Sequence, residues 1–356
     1  MLRFLRLLAL FFVAFLSFDR VSCAGDFTSC VGSMTYVECD AGYYLSDCGS
    51  YRDGRTITSP AAGNSCKACP SRTSSAYYEC SGGAVCPKNA FNATFSVGLG
   101  TLNSGDTFGF NMSASGVFYV NWGDGTPIEK IDRTGDTTNK SYYHTYKTMP
   151  NGTTVRFSGK ATGYNDSSYS NPAINFWYGS DDTARKKNTA KITSVSGSLG
   201  SIFGTLSTGK NPRFNNLFSY AVNLTSVPAG LFSGLTGTPA SNMFGGLLNY
   251  SGIREIPAGL FGNLSGAMQP YLFSGTFKGC TGLTSIPDGL FANFTGTARY
   301  MFKDVFKDCT GLTSIPANLF GNISTGTAND HMFYDAFNGC TALTGRSAKI
   351  NGKYVY

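Results

Sequence analysis

The chain has 356 residues, of which 14% are charged, and its 28 Lys and Arg against 21 Asp and Glu give a formal net charge of +7. The basic residues are scattered, the densest run being Arg185-Lys186-Lys187, so the one-sided basic stripe of a nucleic-acid binder is missing. There are only two histidines, His144 and His331, and neither lies in a nucleophile motif, which disfavours an enzyme built on an imidazole base.

Length allows two or three domains. Residues 1–24 belong to none of them. MLRFLR supplies positive charge, LLALFFVAFLSF an apolar run too short to span a bilayer, and Ser22-Cys23-Ala24 a small-residue cleavage site. That order is a secretory signal. The mature chain is therefore expected to be secreted or displayed at the cell surface, on the outer face of the envelope. A retained membrane anchor needs a longer apolar run, and a lipid anchor on Cys23 wants an aliphatic residue where Arg20 stands. No later stretch is long and apolar enough to cross a membrane.

Residues 25–90 hold Cys30, Cys39, Cys48, Cys66, Cys69, Cys80 and Cys86 in a segment poor in apolar residues. In an exported chain these are disulfide candidates, because so small a module lacks the core to hold itself together. Seven is odd, so at least one thiol is free or pairs elsewhere, and connectivity is not legible in spacing. Zinc bound by Cys66, Cys69, Cys80 and Cys86, or a redox pair at Cys66 and Cys69, are the alternatives. CDAGYYL followed by GNSCKACP resembles the small cysteine-rich modules of extracellular proteins.

Residues 91–172 lack cysteine and alternate apolar with polar positions. ATFSVGL, TFGFNMSA, GVFYVNW and TVRFSGKA read as half-buried strands between Gly, Asn and Asp turns, the pattern of a small β-sandwich. VNWGDGT followed by YYHTY resembles the PKD-type sandwich, an Ig-like fold whose pattern has a Trp-Gly-Asp-Gly turn and a later His-x-Tyr. Asp124 and Gly125 suit that tight turn, and His144 is expected to be its structural partner. A calcium site from Asp106, Asp124, Glu129 and Asp132 is the alternative, although these carboxylates lack a recognised loop spacing.

From residue 173 to 345 the chain repeats itself. Leu-Thr-Ser-Ile-Pro or a close variant begins at Leu224, Ile253, Leu283 and Leu312, with a truncated copy at Leu343 and a degenerate one at Ile192. Intervals of 29 to 31 residues mark stacked units that bury their apolar faces on one another. Each unit continues with a Leu-Phe pair, a Gly/Thr loop and an aromatic segment. In that segment Phe302, Val305, Phe306 and Cys309 fall at helical spacing, as do Phe333, Ala336, Phe337 and Cys340, while Phe273, Phe277 and Cys280 repeat part of the pattern. One short strand and one or two helical turns per unit are expected. Cys280, Cys309 and Cys340 read as free, buried fillers, replaced by Ala221 and Tyr250 in other units. The polar tail 346–356 is expected to cap the open end.

FKGCTGLTSIPDGLF and FKDCTGLTSIPANLF resemble the BspA-like leucine-rich repeats of bacterial and protist surface proteins, with units longer than that family's usual ones. The resemblance implies a mainly β chain with short helices, ending in a leucine-rich-repeat solenoid. It also implies surface display and adhesion to a host, matrix or neighbouring-cell ligand, a protein or a glycan, without naming one. Candidate contact residues are the variable Tyr271, Tyr300 and His331, which share a repeat position with Asn242, and Arg254 and Glu255, which interrupt the outward Thr-Ser positions. Uniform Thr-Ser positions favour a second reading, a structural envelope or matrix protein that self-associates through its repeats. No phosphate loop, paired carboxylates or metal-helix signature is present, so no catalytic residue, cofactor or metal is expected.

Overall fold

The computed structural model describes residues 95–124, 126, 128–147, 152–165, 171–262, 264–321 and 331–344 in full, with the backbone of short strands outside these ranges. The chain divides into two compact units, Met1–Asn92 with Pro127–Glu129, and Ala93–Thr126 with Lys130–Tyr356. In the first, the described backbone comprises β1 (Val21–Cys23), β2 (Val37–Cys39), β3 (Tyr43–Leu45), β4 (Tyr51–Arg52), β5 (Thr56–Ile57) and β6 (Cys66–Ala68). The rest of the expected signal, the side chains of the seven candidate disulfide cysteines and most of the expected 346–356 cap lie outside the described residues. Among the described residues no helix is long and apolar enough to cross a membrane.

The second unit is mainly β. Its strands are β7 (Phe95–Leu99), β8 (Thr107–Met112), β9 (Ser115–Asn121), β10 (Glu129–Asp132), β11 (Lys140–Thr145), β12 (Thr154–Gly163), β13 (Ile174–Asn175) and β14 (Ile192–Gly197). They form a five-stranded sheet ordered β10-β9-β12-β7-β14 and a three-stranded sheet ordered β11-β8-β13. Alternation decides which faces turn inward: in β7, Phe95, Val97 and Leu99 are buried and the residues between them are not. Phe110 lies among Trp122, Phe157 and Phe176, at ring-centroid distances of 5.9, 5.3 and 6.4 Å. The buried Arg133 is satisfied by the carbonyls of Ala114, Asp136 and Thr138 and by the Tyr142 hydroxyl. The one α-helix described, α1 (Asp182–Thr189), is capped by Asp181, whose carboxylate accepts from Ala184 N at 2.9 Å, with Lys186 and Lys187 in its last turn.

Beyond the sheets, the chain climbs in stacked turns that we call rungs. Strand β13 starts the stack: Phe176 N donates to Leu217 O, and the Phe176 and Phe218 rings stack at 5.7 Å. The degenerate repeat at Ile192 becomes edge strand β14, paired with β7, while Leu199 N just beyond it donates to Leu231 O.

The aromatic segments are not the helical turns that their spacing predicts. Their backbone repeats every four residues. Within the third rung, Leu272, Ser274, Thr276, Lys278 and Cys280 donate to the carbonyl three residues back. The residues between them, Tyr271, Phe273, Gly275, Phe277 and Gly279, donate instead to Arg299, Met301, Lys303, Val305 and Lys307 of the next rung. This alternation requires a left-handed residue at every fourth position: Tyr271, Gly275 and Gly279, then Tyr300, Asp304 and Asp308. An α-helix would satisfy its N–H groups internally, whereas here half of them join rung to rung. Nor do the Leu-Thr-Ser-Ile-Pro segments form strands. They run extended with isolated bonds at some junctions, as from Arg254 N to Thr225 O and from Thr313 N to Thr284 O. The remaining short strands are β15 (Gly266–Ala267) and β16 (Phe294–Thr295), paired in parallel, and β17 (Lys349–Ile350) with β18 (Lys353–Tyr354).

Stacking places like on like. Phe244, Phe273, Phe302 and Phe333 form one column with successive centroid distances of 5.6, 5.7 and 5.4 Å. Phe232, Phe261, Phe291 and Phe320 form another at 6.2, 6.0 and 5.7 Å. The columns interlock through tilted pairs such as Phe261–Phe273 at 4.9 Å and Phe291–Phe302 at 4.8 Å. Each such pair adds about 0.5–1.5 kcal/mol beyond its buried area.

Candidate ligand-binding surface

Against the Trp122–Asp124 turn after β9 lies His144 of strand β11. Its Nε2 lies 2.7 Å from Asp124 Oδ2, and the imidazole stacks on Trp122 at 5.3 Å and meets Tyr146 edge-on at 4.8 Å. Tyr146 in turn donates to Trp122 O. Burial opposes ionisation of Asp124, yet hydrogen bonds from Thr126 and His144 outweigh it and hold the carboxyl below its usual range. His144 thus ties strand β11 to the turn after β9. Gly125 lies outside the described residues.

The four carboxylates of the calcium alternative do not share a site. Asp106 accepts from Asn103 N, Asp124 from Thr126 and Asp132 from Thr134, each bracing its own turn. Among the described residues no three His, Cys, Asp or Glu side chains come together as metal ligands.

Cys280, Cys309 and Cys340 are buried and free. Their thiols donate to Leu248 O, Phe277 O and Phe306 O of the rung below, at 3.2, 3.1 and 3.0 Å. Burial pushes Cys280 up to about 12 and Cys340 to about 11, and raises Cys309 as well. The residue beneath Cys280 is Ser251, whose Oγ lies 3.6 Å from the thiol, and not Tyr250 as the sequence alignment has it.

Tyr271, Tyr300 and His331, scattered in sequence, form one column on the stack. Tyr271 and Tyr300 lie 5.3 Å apart and Tyr300 and His331 5.0 Å apart. Both tyrosines hold left-handed backbone, with φ of 60° and 57°, which is uncommon for bulky side chains. Around them stand residues that repeat comparison does not single out. The Arg299 guanidinium lies 4.8 Å from the Tyr300 ring centre, and Lys303 Nζ lies between the Tyr300 and Tyr334 rings at 5.5 and 5.7 Å. Tyr334 is 51% exposed and Arg299 is exposed. Among the described residues no carboxylate lies within ion-pair distance of Arg299 or Lys303. Their lysine neighbours differ: Lys278 pairs with Asp304 at 3.7 Å, and Lys307 with Asp335 at 2.5 Å. Arg254 and Glu255 are exposed on their own rung, and no ring contact, hydrogen bond or ion pair among the described residues joins them to this column.

The arrangement offers phenol hydroxyls, an imidazole and two cations on a partly exposed surface, a set that recognises negative charge by hydrogen bonding and Coulomb attraction. No family model, curated protein or solved structure matches the chain.

Proposed function

We propose that the chain is an exported, adhesin-like protein that holds an anionic extracellular ligand, a glycan or protein of a host, a matrix or a neighbouring cell, on the Tyr271–Tyr300–His331 column. The observation that carries this reading is the contrast between paired and unpaired cations. Lys278 and Lys307 are neutralised by Asp304 and Asp335 at ion-pair distance, while Arg299 lies over the Tyr300 ring and donates to its hydroxyl at 3.5 Å, and Lys303 lies between two tyrosine rings with Asp335 acting on it only from beyond ion-pair distance. Cations so placed gain little from their own fold, because an exposed cation–π contact contributes about 0.5–1 kcal/mol. In the same reading the rung stack is a leucine-rich-repeat solenoid of BspA-like character, supported by its near-constant unit length and continuous apolar columns. The sandwich before it is PKD-like, supported by the His144–Asp124 turn, and the cysteine-rich segment is a disulfide-bonded spacer.

Binding of the purified full chain to immobilised acidic glycans, neutral glycans, mucins and matrix proteins tests this. Saturable, salt-sensitive binding to acidic members is expected. Silence across the panel with concentration-dependent self-association would favour an envelope or matrix building block instead.

A further inference from the structure

The backbone hydrogen bonds that join one aromatic segment to the next all run in one direction, whereas side-chain donors such as Thr276 and Cys280 point back to the earlier rung. Phe244 N donates to Leu272 O, Phe273 N to Met301 O and Phe302 N to Met332 O, at 3.0, 2.8 and 3.0 Å. In every such junction the backbone donors belong to the earlier rung and the backbone acceptors to the later one. The acceptor side of the stack is closed within the chain. Arg213 O and Leu217 O receive Ala173 N and Phe176 N, and Pro172 O and Ala173 O in turn receive Ser113 N and Ala114 N beside β8.

Among the described residues the donor side is open. Phe302, Asp304, Phe306 and Asp308 donate to Met332, Tyr334, Ala336 and Asn338. The equivalent N–H groups one rung on, those of Phe333, Asp335, Phe337 and Gly339, meet no acceptor among the described residues. The aromatic columns end in the same place. Phe273 and Phe302 are fully buried, but Phe333 is half-buried, and Phe337 is 6% exposed where Phe306 is 0%. An edge that presents a row of donors beside uncovered rings is a template for another backbone.

We propose that this last rung, His331–Cys340, docks an extended segment of a different polypeptide, which adds to the stack as one more rung. The chemistry required of the partner follows from the rungs already in place. It must offer a carbonyl at every second residue and a large apolar side chain at every fourth, to continue the Phe302–Phe333 and Phe306–Phe337 columns at about the 5.4 Å seen in both. A second copy of this chain does not fit. Two copies meeting edge to edge oppose donor to donor, and neither has a free carbonyl row to offer, because sheet β11-β8-β13 occupies it.

The experiment uses the full-length protein, isotopically labelled, with a synthetic peptide of residues 269–287 carrying Cys280→Ser to prevent oxidation. This is the segment that caps Phe244 and Leu248 in the folded chain. The peptide is expected to shift the amide resonances of Phe333, Asp335, Phe337 and Gly339 and to slow their hydrogen exchange at least tenfold. A peptide with Phe273→Ala and Phe277→Ala is expected to bind at least tenfold more weakly, and a scrambled peptide to leave the amides unchanged. Three results would overturn the proposal. These amides would already be as protected in the free protein as those of Phe302 and Phe306. The native-sequence peptide would leave them unaltered. Or protection would rise with protein concentration alone, which assigns the edge to self-association.

Discussion

The Tyr250 ring occupies the space that a side chain on Gly279 would need. A Cβ on Gly279 would lie 2.3 Å from Tyr250 Cδ1, and the ring cannot simply retreat, because it stacks on Tyr220 at 4.7 Å. Gly279 also has φ of +72°, whereas a Cβ on Gly275, with φ of +62°, would make only an ordinary contact with Lys278 Cβ at 4.0 Å. Gly279→Ala is therefore expected to destabilise by about 2–4 kcal/mol, from backbone strain and steric overlap together. Gly275→Ala is expected to cost about 1 kcal/mol, from the backbone alone. Urea denaturation of both variants measures the difference.

Left-handed backbone at every fourth residue gives a sign test at Asp335, whose φ is 54°. Both Asp335→Gly and Asp335→Val remove the 2.5 Å pair with Lys307, so their difference reads the backbone alone. In an α-helix Gly is the worse residue by a few tenths of a kcal/mol. In the rung Gly is expected to be the better one, by about 1–2 kcal/mol. Thermal or urea midpoints of the two variants decide it.

Acid should loosen the sandwich at the His144–Asp124 contact. The folded-state pKa of Asp124 lies below its unfolded value, so its contribution is present above about pH 4 and fades as pH falls through the lower folded value. Asp124→Asn is expected to cost about 1–3 kcal/mol at pH 7, since the side chain is only 5% exposed and the variant's amide cannot replace both acceptor roles. Below pH 4 the variant is expected to lose stability less steeply than the native chain. Denaturation midpoints at pH 7, 4 and 3 test both statements.

The thiols of Cys280, Cys309 and Cys340 are expected to resist alkylation at pH 8 in the folded protein. They are buried and raised far above that pH, and only the thiolate reacts. Peptide mapping after iodoacetamide treatment should find these three modified only when denaturant is present.

How much of this was legible in the sequence depends on the distance over which each feature is decided. The sandwich strands were legible, because period-two alternation in stretches such as Phe95–Leu99 is local. Rung phase was legible too, because Leu224, Ile253, Leu283 and Leu312 recur at nearly constant intervals. Rung backbone was misread. Apolar residues at Phe302, Val305, Phe306 and Cys309 fit a period of four as well as 3.6 over so short a run. The correcting signal is the set of turn-tolerant residues four apart, Gly275 and Gly279, then Asp304 and Asp308, which a helix interior disfavours. The cation patch was only half legible. Tyr271, Tyr300 and His331 stood out as a variable position, but Arg299 and Lys303 differ from Lys278 and Lys307 only in which column they occupy.

That difference is open to direct measurement. The acidic ligand that binds best to the native chain would be titrated by calorimetry against two double variants, Arg299→Ala with Lys303→Ala, and Lys278→Ala with Lys307→Ala. Each removes two positive charges, the first both from one rung and the second from that rung and the one before it, so the change in net charge is matched. The first is expected to weaken binding at least tenfold, about 1.4 kcal/mol, and the second less than threefold. Equal losses in the two would contradict a site on the Tyr271–Tyr300–His331 column and leave only diffuse attraction to a basic chain.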